Sequence, residues 1–105
     1  MALRLPGSLS QPATASETAF DALGYEIMAE TAAALGRAGD NAARAMARLH
    51  ACGKESPERP AALKEAAQAV HAWFIQREIC GMRRHDDVIK ELKIPRAVLV
   101  RLGVR

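Results

Sequence analysis

Every seventh residue from Met28 to Leu49 is apolar: Met28, Leu35, Ala42 and Leu49 recur with Ala32, Gly39 and Met46 interleaved and Thr31, Ala38, Ala45 and Cys52 alongside. A period held over that length is helical. A stripe built from Gly, Ala and Met belongs to a helix that lies along another helix at short range. Half of the residues are apolar and only 4% are aromatic, so the core has to be assembled from Ala, Leu, Val, Ile and Met. Small side chains of this kind bring backbones close. At 105 residues the chain supports one modest core and not two.

The first helical period starts near Phe20, behind a helix start at Thr14 or Ser16 with Glu17, of which Thr14 and Glu17 stand in capping-box spacing, and runs to about Ala51. Gly24, Gly36 and Gly39 weaken it, each by about 1 kcal/mol relative to Ala. A break within residues 36–40, with Asp40 capping a second segment, stays open; the seam is in register on both sides, which predicts one continuous helix. "ACGKESPERP" ends it, with Gly53 expected at the C′ position, Ser56 as the next N-cap, Pro57 at the first helical position and Pro60 still in the first turn. A loop this short makes the two helices antiparallel neighbours.

A second helix is predicted over 57–80. Its seam is Leu63, Ala66, Ala67, Val70 and Phe74, a second stripe is formed by Ala72, Ile75, Ile79 and Met82, and Gly81 is the stop. His85 or Asp86 then caps a short helix over 87–92, and Pro95 opens another over 95–102, ended by Gly103. Val88, Ile89, Leu92, Ile94, Val98, Leu99 and Leu102 need cover, which the second stripe of helix two is expected to provide. The predicted fold is all-α, a long antiparallel helical hairpin with two short C-terminal helices capping the open end. Residues 1–14, with Pro6, Gly7 and Pro12 and no periodicity, are read as a flexible tail, and 15–105 as a single helical domain.

Net charge is +3, placed unevenly: residues 1–82 hold eight Lys and Arg against nine Asp and Glu, residues 83–105 seven against three. The basic end admits an acidic partner, nucleic acid included, although a solvated helix surface gives the same count. No run approaches the roughly 18 to 20 apolar residues of a membrane span, and the N-terminus lacks the apolar core of a secretory signal. A cytoplasmic protein with reduced thiols and no membrane contact is expected.

His50, His71, His85, Cys52 and Cys80 are all metal-ligand types. In the hairpin register, however, Cys80 falls level with about residue 32 and lies on the order of 30 Å from Cys52 along the bundle, too far to share a zinc or a disulfide. A nucleophilic Cys80, activated by His85 and the neighbouring Arg77, Arg83 and Arg84, competes with Cys80 as a small residue of the packed seam; packing is preferred. No glycine-rich phosphate loop, paired-carboxylate motif or zinc-protease signature occurs. The expectation is a chain that is not an enzyme, with no catalytic residues, no cofactor and no metal.

"WFIQREICGMRRHDD", residues 73–87, concentrates the only Trp and a knot of charge. It reads as a structural joint or partner surface formed by Trp73, Arg77, Cys80, Arg83 and Arg84, with Arg83 and Arg84 level with Glu26 and Glu30 of helix one. "VIKELKIPRAVLVRLG" resembles the helix-turn-helix pattern of bacterial regulators, which would make Lys93, Arg96 and Arg101 nucleic-acid contacts. The usual turn Gly is Lys93 here, and Val98 and Val100 stand where polar side chains would read base edges.

Taken together, "FDALGYEIMAE", "WFIQREICGMRRHDDVI" and "IPRAVLVRLG" resemble a family of small alphaproteobacterial helical proteins classed as a domain of unknown function. The resemblance implies an all-helical single domain in the bacterial cytoplasm and brings no catalytic residues with it. The expected role is that of a non-enzymatic helical module that self-associates, as a dimer by preference, or binds another protein. A helix one of roughly 38 residues against a helix two of roughly 24 differs by on the order of 20 Å, which leaves the seam near Phe20 and Met28 without a partner. The alternative is a small DNA-binding or transcription-associated protein using residues 85–103.

Overall fold

The computed structural model describes residues 15–102. Every regular element among them is helical: α1 (Ala15–Ala51), α2 (Arg59–Ile79), α3 (Asp86–Glu91) and α4 (Arg96–Arg101). The tail over 1–14, the Thr14 half of the capping box and the stop at Gly103 lie outside the described residues. α1 runs unbroken through Gly36 and Gly39, as the continuous seam predicts. The chain forms two compact units, one through Thr31 and one from Ala32 onward.

The first unit, from Ala15, is helical throughout. Its side chains are exposed almost without exception, so local propensity and i−4 bonding hold it. Ala-rich sequence favours the helix, and Thr31 Oγ1 donates back to the Ile27 carbonyl at 2.9 Å.

The second unit is the predicted hairpin with its two short helices. Ala42, Ala45, Met46 and Leu49 of α1, Ala62, Ala66, Ala67, Val70 and Phe74 of α2, and Val88, Ile94 and Val98 from the C-terminal segment form one core. The alanines let the backbones close, and Met46, Leu49, Val70 and Val98, the largest fully buried side chains, fill the space left. Truncating Met46 or Leu49 to Ala would cost about 2–5 kcal/mol. The register is the expected one. A Cβ added to Gly39 would stand 3.1 Å from Nε1 of Trp73, and Nε of Arg48 donates to Oε1 of Glu65 at 2.8 Å. That hydrogen bond is the main cause holding the Glu65 carboxyl below the ordinary carboxylate range.

The loop differs from expectation at both ends. α2 starts at Arg59, two residues later than predicted, because Ser56, Pro57 and Glu58 form a turn of their own: the Glu58 amide donates to Oγ of Ser56 at 3.2 Å and the Arg59 amide to the Ser56 carbonyl at 3.0 Å. Pro57 is therefore a turn residue, and Pro60 takes the tolerated place in the first turn of α2. Gly53 is not a left-handed stop; among the described glycines only Gly81 has positive φ. α1 instead tightens at its end, with the Cys52 amide on the Leu49 carbonyl at 3.1 Å. The Arg59 guanidinium reaches the Leu49 and Cys52 carbonyls at 3.5 and 3.4 Å, a cation on the carbonyls that a helix end leaves unpaired.

Two turns of one kind fold the C-terminal segment back. At Gly81 (φ 92°) the Met82 amide bonds the Arg77 carbonyl at 2.9 Å and the Gly81 amide bonds that of Glu78 at 3.0 Å, the paired bonds of a Schellman stop. The same pattern recurs after α3, with the Ile94 amide on the Ile89 carbonyl at 3.0 Å and Lys93 itself left-handed at φ 53°. These reversals carry Val88, Ile94 and Val98 into the hairpin core and bring the Leu92 carbonyl to 3.1 Å from Nε2 of His50. The second stripe of α2 does not provide their seat: Ile75, Ile79 and Met82 remain 43%, 64% and 36% exposed. The deeper apolar surface around Met46, Leu49, Val70 and Phe74 wins because it removes more of each side chain from water.

Candidate interaction site at the α2–α3 joint

Arg77 lies in the last turn of α2 and is only 9% exposed. Its Nε donates to Nδ1 of His85 at 3.0 Å and its Nη2 to the Arg84 carbonyl at 2.9 Å, while Asp87 Oδ1 stands 3.9 Å away. The guanidinium carbon sits 5.6 Å from the Trp73 ring centroid, within cation–π range. Since Nδ1 of His85 accepts, the imidazole proton resides on Nε2, which donates to Oε2 of Glu78 at 3.1 Å. The same ring stacks on Phe74, centroids 4.0 Å apart. Glu78, His85, Arg77 and the Arg84 carbonyl thus form one chain of hydrogen bonds that clamps the approach to α3 onto the last turns of α2.

Of the residues expected at the joint, Trp73 and Arg77 meet there. Cys80 is half-buried and supplies the backbone cap of α2, its amide bonding the Gln76 carbonyl at 3.1 Å. Both nitrogens of His85 are already engaged, so the arrangement does not aim a base at Cys80. Arg84 contributes its carbonyl to the clamp, and its exposed side chain takes Asp86 at 3.5 Å as partner. Arg83 is exposed and forms no ion pair or side-chain hydrogen bond among the described residues. Phe74, Glu78 and His85 are the members that the sequence reading did not assign to the joint; the seven-residue spacing of Glu78 and His85 across a glycine stop was the available signal.

Beside the clamp lies an open groove of about 480 Å³ with Phe74, Ile75, Ile89 and Leu102 as apolar lining and Arg83 and Arg84 at its rim. Two carboxylates also border it, Glu78 and Asp86, each spent on a cation or imidazole already named.

The alternative nucleic-acid residues are all exposed. Lys93 occupies the left-handed turn, and Arg96 and Arg101, at the two ends of the six-residue α4, project about 140° apart around its axis at 3.6 residues per turn. Val98, between them, is fully buried. Among the described residues no three of His, Cys, Asp and Glu come together as metal ligands, and no described helix is long and apolar enough to cross a membrane.

The first unit has a surface of a different kind. Phe20, Leu23, Tyr25, Ile27 and Met28 are 50 to 74% exposed, on a stretch over 15–31 that carries Glu17, Asp21, Glu26 and Glu30 and no Lys or Arg.

The model of a family of unknown function, DUF6665, matches residues 1–105. No curated protein and no solved structure matches the chain.

Proposed function

We propose that the chain, which belongs to this family of unknown function, is a non-enzymatic helical module that self-associates through the apolar face of residues 15–31. The observation that carries the reading is the exposure of five large apolar side chains within nine residues of one helix. Phe20, Leu23, Gly24 and Ile27 stand at the i, i+3, i+4, i+7 spacing with which a helix enters an apolar surface, and Gly24 has open space where a Cβ would be. Fully covering an exposed side chain of this size stabilises by roughly 1.5–3 kcal/mol, which over three or four anchors is of the same order as the cost of association.

Sedimentation of the wild-type chain at micromolar concentration, beside a variant carrying Phe20→Asp and Ile27→Asp, tests the reading. Association is expected for the wild type and a monomer for the variant, with helix content kept. A wild-type monomer, or a variant that associates unchanged, would overturn it. Duplex binding through residues 85–103 draws less support, since Arg96 and Arg101 diverge around α4 and Val98 is committed to the core.

A further inference from the structure

We infer that the surface receiving residues 15–31 is the arginine-rimmed groove of a second copy of the chain, so that the contact joins two different faces rather than one face to itself. The inference rests on the self-association proposed above and names its other half. Two observations select the groove. First, charge: the 15–31 helix carries four carboxylates and no cation, so packing two such helices against each other would set like charges together, whereas the groove balances its own carboxylates with two arginines and offers Arg83, which has no described ion-pair partner, beside the Arg84–Asp86 pair. Second, shape: an apolar lining of Phe74, Ile75, Ile89 and Leu102 in a space of about 480 Å³ matches a helix that presents Phe20 and Leu23 between acidic flanks. The groove's own carboxylates are engaged within it, Asp86 by Arg84 and Glu78 by the Nε2–H of His85, so that Arg83 is the lining cation left to meet a carboxylate of an incoming helix.

Contacts of this kind place the donor segment and the receiving groove on different parts of each copy, and that asymmetry is directly testable by mixing. One variant carries Phe20→Asp and Ile27→Asp and keeps the groove. A second carries Ile75→Asp and Arg83→Glu, both at exposed positions, and keeps the segment. Each is checked for wild-type helix content and cooperative melting, then sedimented alone and as an equimolar mixture. Both variants are expected to be monomers alone, and the mixture to form a one-to-one complex weaker than the wild-type assembly, because the intact segment of one meets the intact groove of the other. A mixture that stays monomeric, or a groove variant that associates like the wild type while the segment variant does not, would overturn the groove as the receiver and leave self-association through 15–31 standing. A wild-type monomer would remove both.

Discussion

The imidazole of His85 lies flat on the ring of Phe74, the planes 6° from parallel, and its Nδ1 accepts from a guanidinium that is almost wholly withdrawn from water. A buried cation is tolerated where its donors are used, and here Arg77 spends them on His85 and the Arg84 carbonyl. Arg77→Ala would leave those acceptors short of a partner and remove the guanidinium that lies over Trp73. A loss of about 2–4 kcal/mol is expected, read from urea unfolding. A double-mutant cycle with His85→Ala should give a coupling of about 0.5–3 kcal/mol; strict additivity would show that the two side chains do not act together.

Gly36 and Gly39 occupy similar places in α1 yet should respond differently to the same change. Nothing lies within 4 Å of a Cβ built on Gly36, whereas the one built on Gly39 meets Nε1 of Trp73 at 3.1 Å. Gly36→Ala is expected to stabilise by about 1 kcal/mol, the helix-interior difference. Gly39→Ala should recover less, because the indole must shift. Thermal melts of the two variants check this, and equal gains would mean that Trp73 yields freely.

The sevenfold seam made the hairpin legible, because close-packed antiparallel helices require small residues at that period and the register then follows from the loop; the approach of Trp73 to Gly39 is its direct consequence. The seat of α3 and α4 was less legible. Periodicity shows that Ile75, Ile79 and Met82 share a stripe but not whether a deeper apolar surface competes for Val88 and Val98, and here it does. The joint is half legible: Arg77 stands out as a charge beside apolar residues, while His85 reads as a cap or base because its two partners, Glu78 and Arg77, lie across a chain reversal. The turn at 56–58 was misplaced since Ser–Pro satisfies an N-cap and a β-turn equally well.

Lys93 takes the left-handed conformation that glycine takes at the matching stop after α2. For a residue with a Cβ that conformation costs roughly 1–2 kcal/mol, and glycine returns part of the gain through its greater freedom when unfolded. Lys93→Gly is therefore expected to stabilise by about 0.5–1 kcal/mol in urea unfolding. A loss instead would show that the lysine stem contributes packing beyond its backbone role.

The Arg48–Glu65 pair joins α1 to α2 with both side chains about half exposed, so its worth is modest and screened by salt. Its pH dependence is nonetheless directional. The hydrogen bond from Arg48 lowers the Glu65 carboxyl below its ordinary range, so the folded state binds its proton less readily than the unfolded state does. The stabilisation is present in full above the unfolded carboxylate value and is lost as pH falls through the lower folded value. Arg48 is shifted upward by the same bond and stays charged throughout this range. Urea midpoints of the wild type and Glu65→Gln should accordingly differ slightly at neutral pH, in favour of the wild type, and converge in acid below the carboxylate range. A difference that persists unchanged in acid would assign the effect of the substitution to packing rather than to the ion pair.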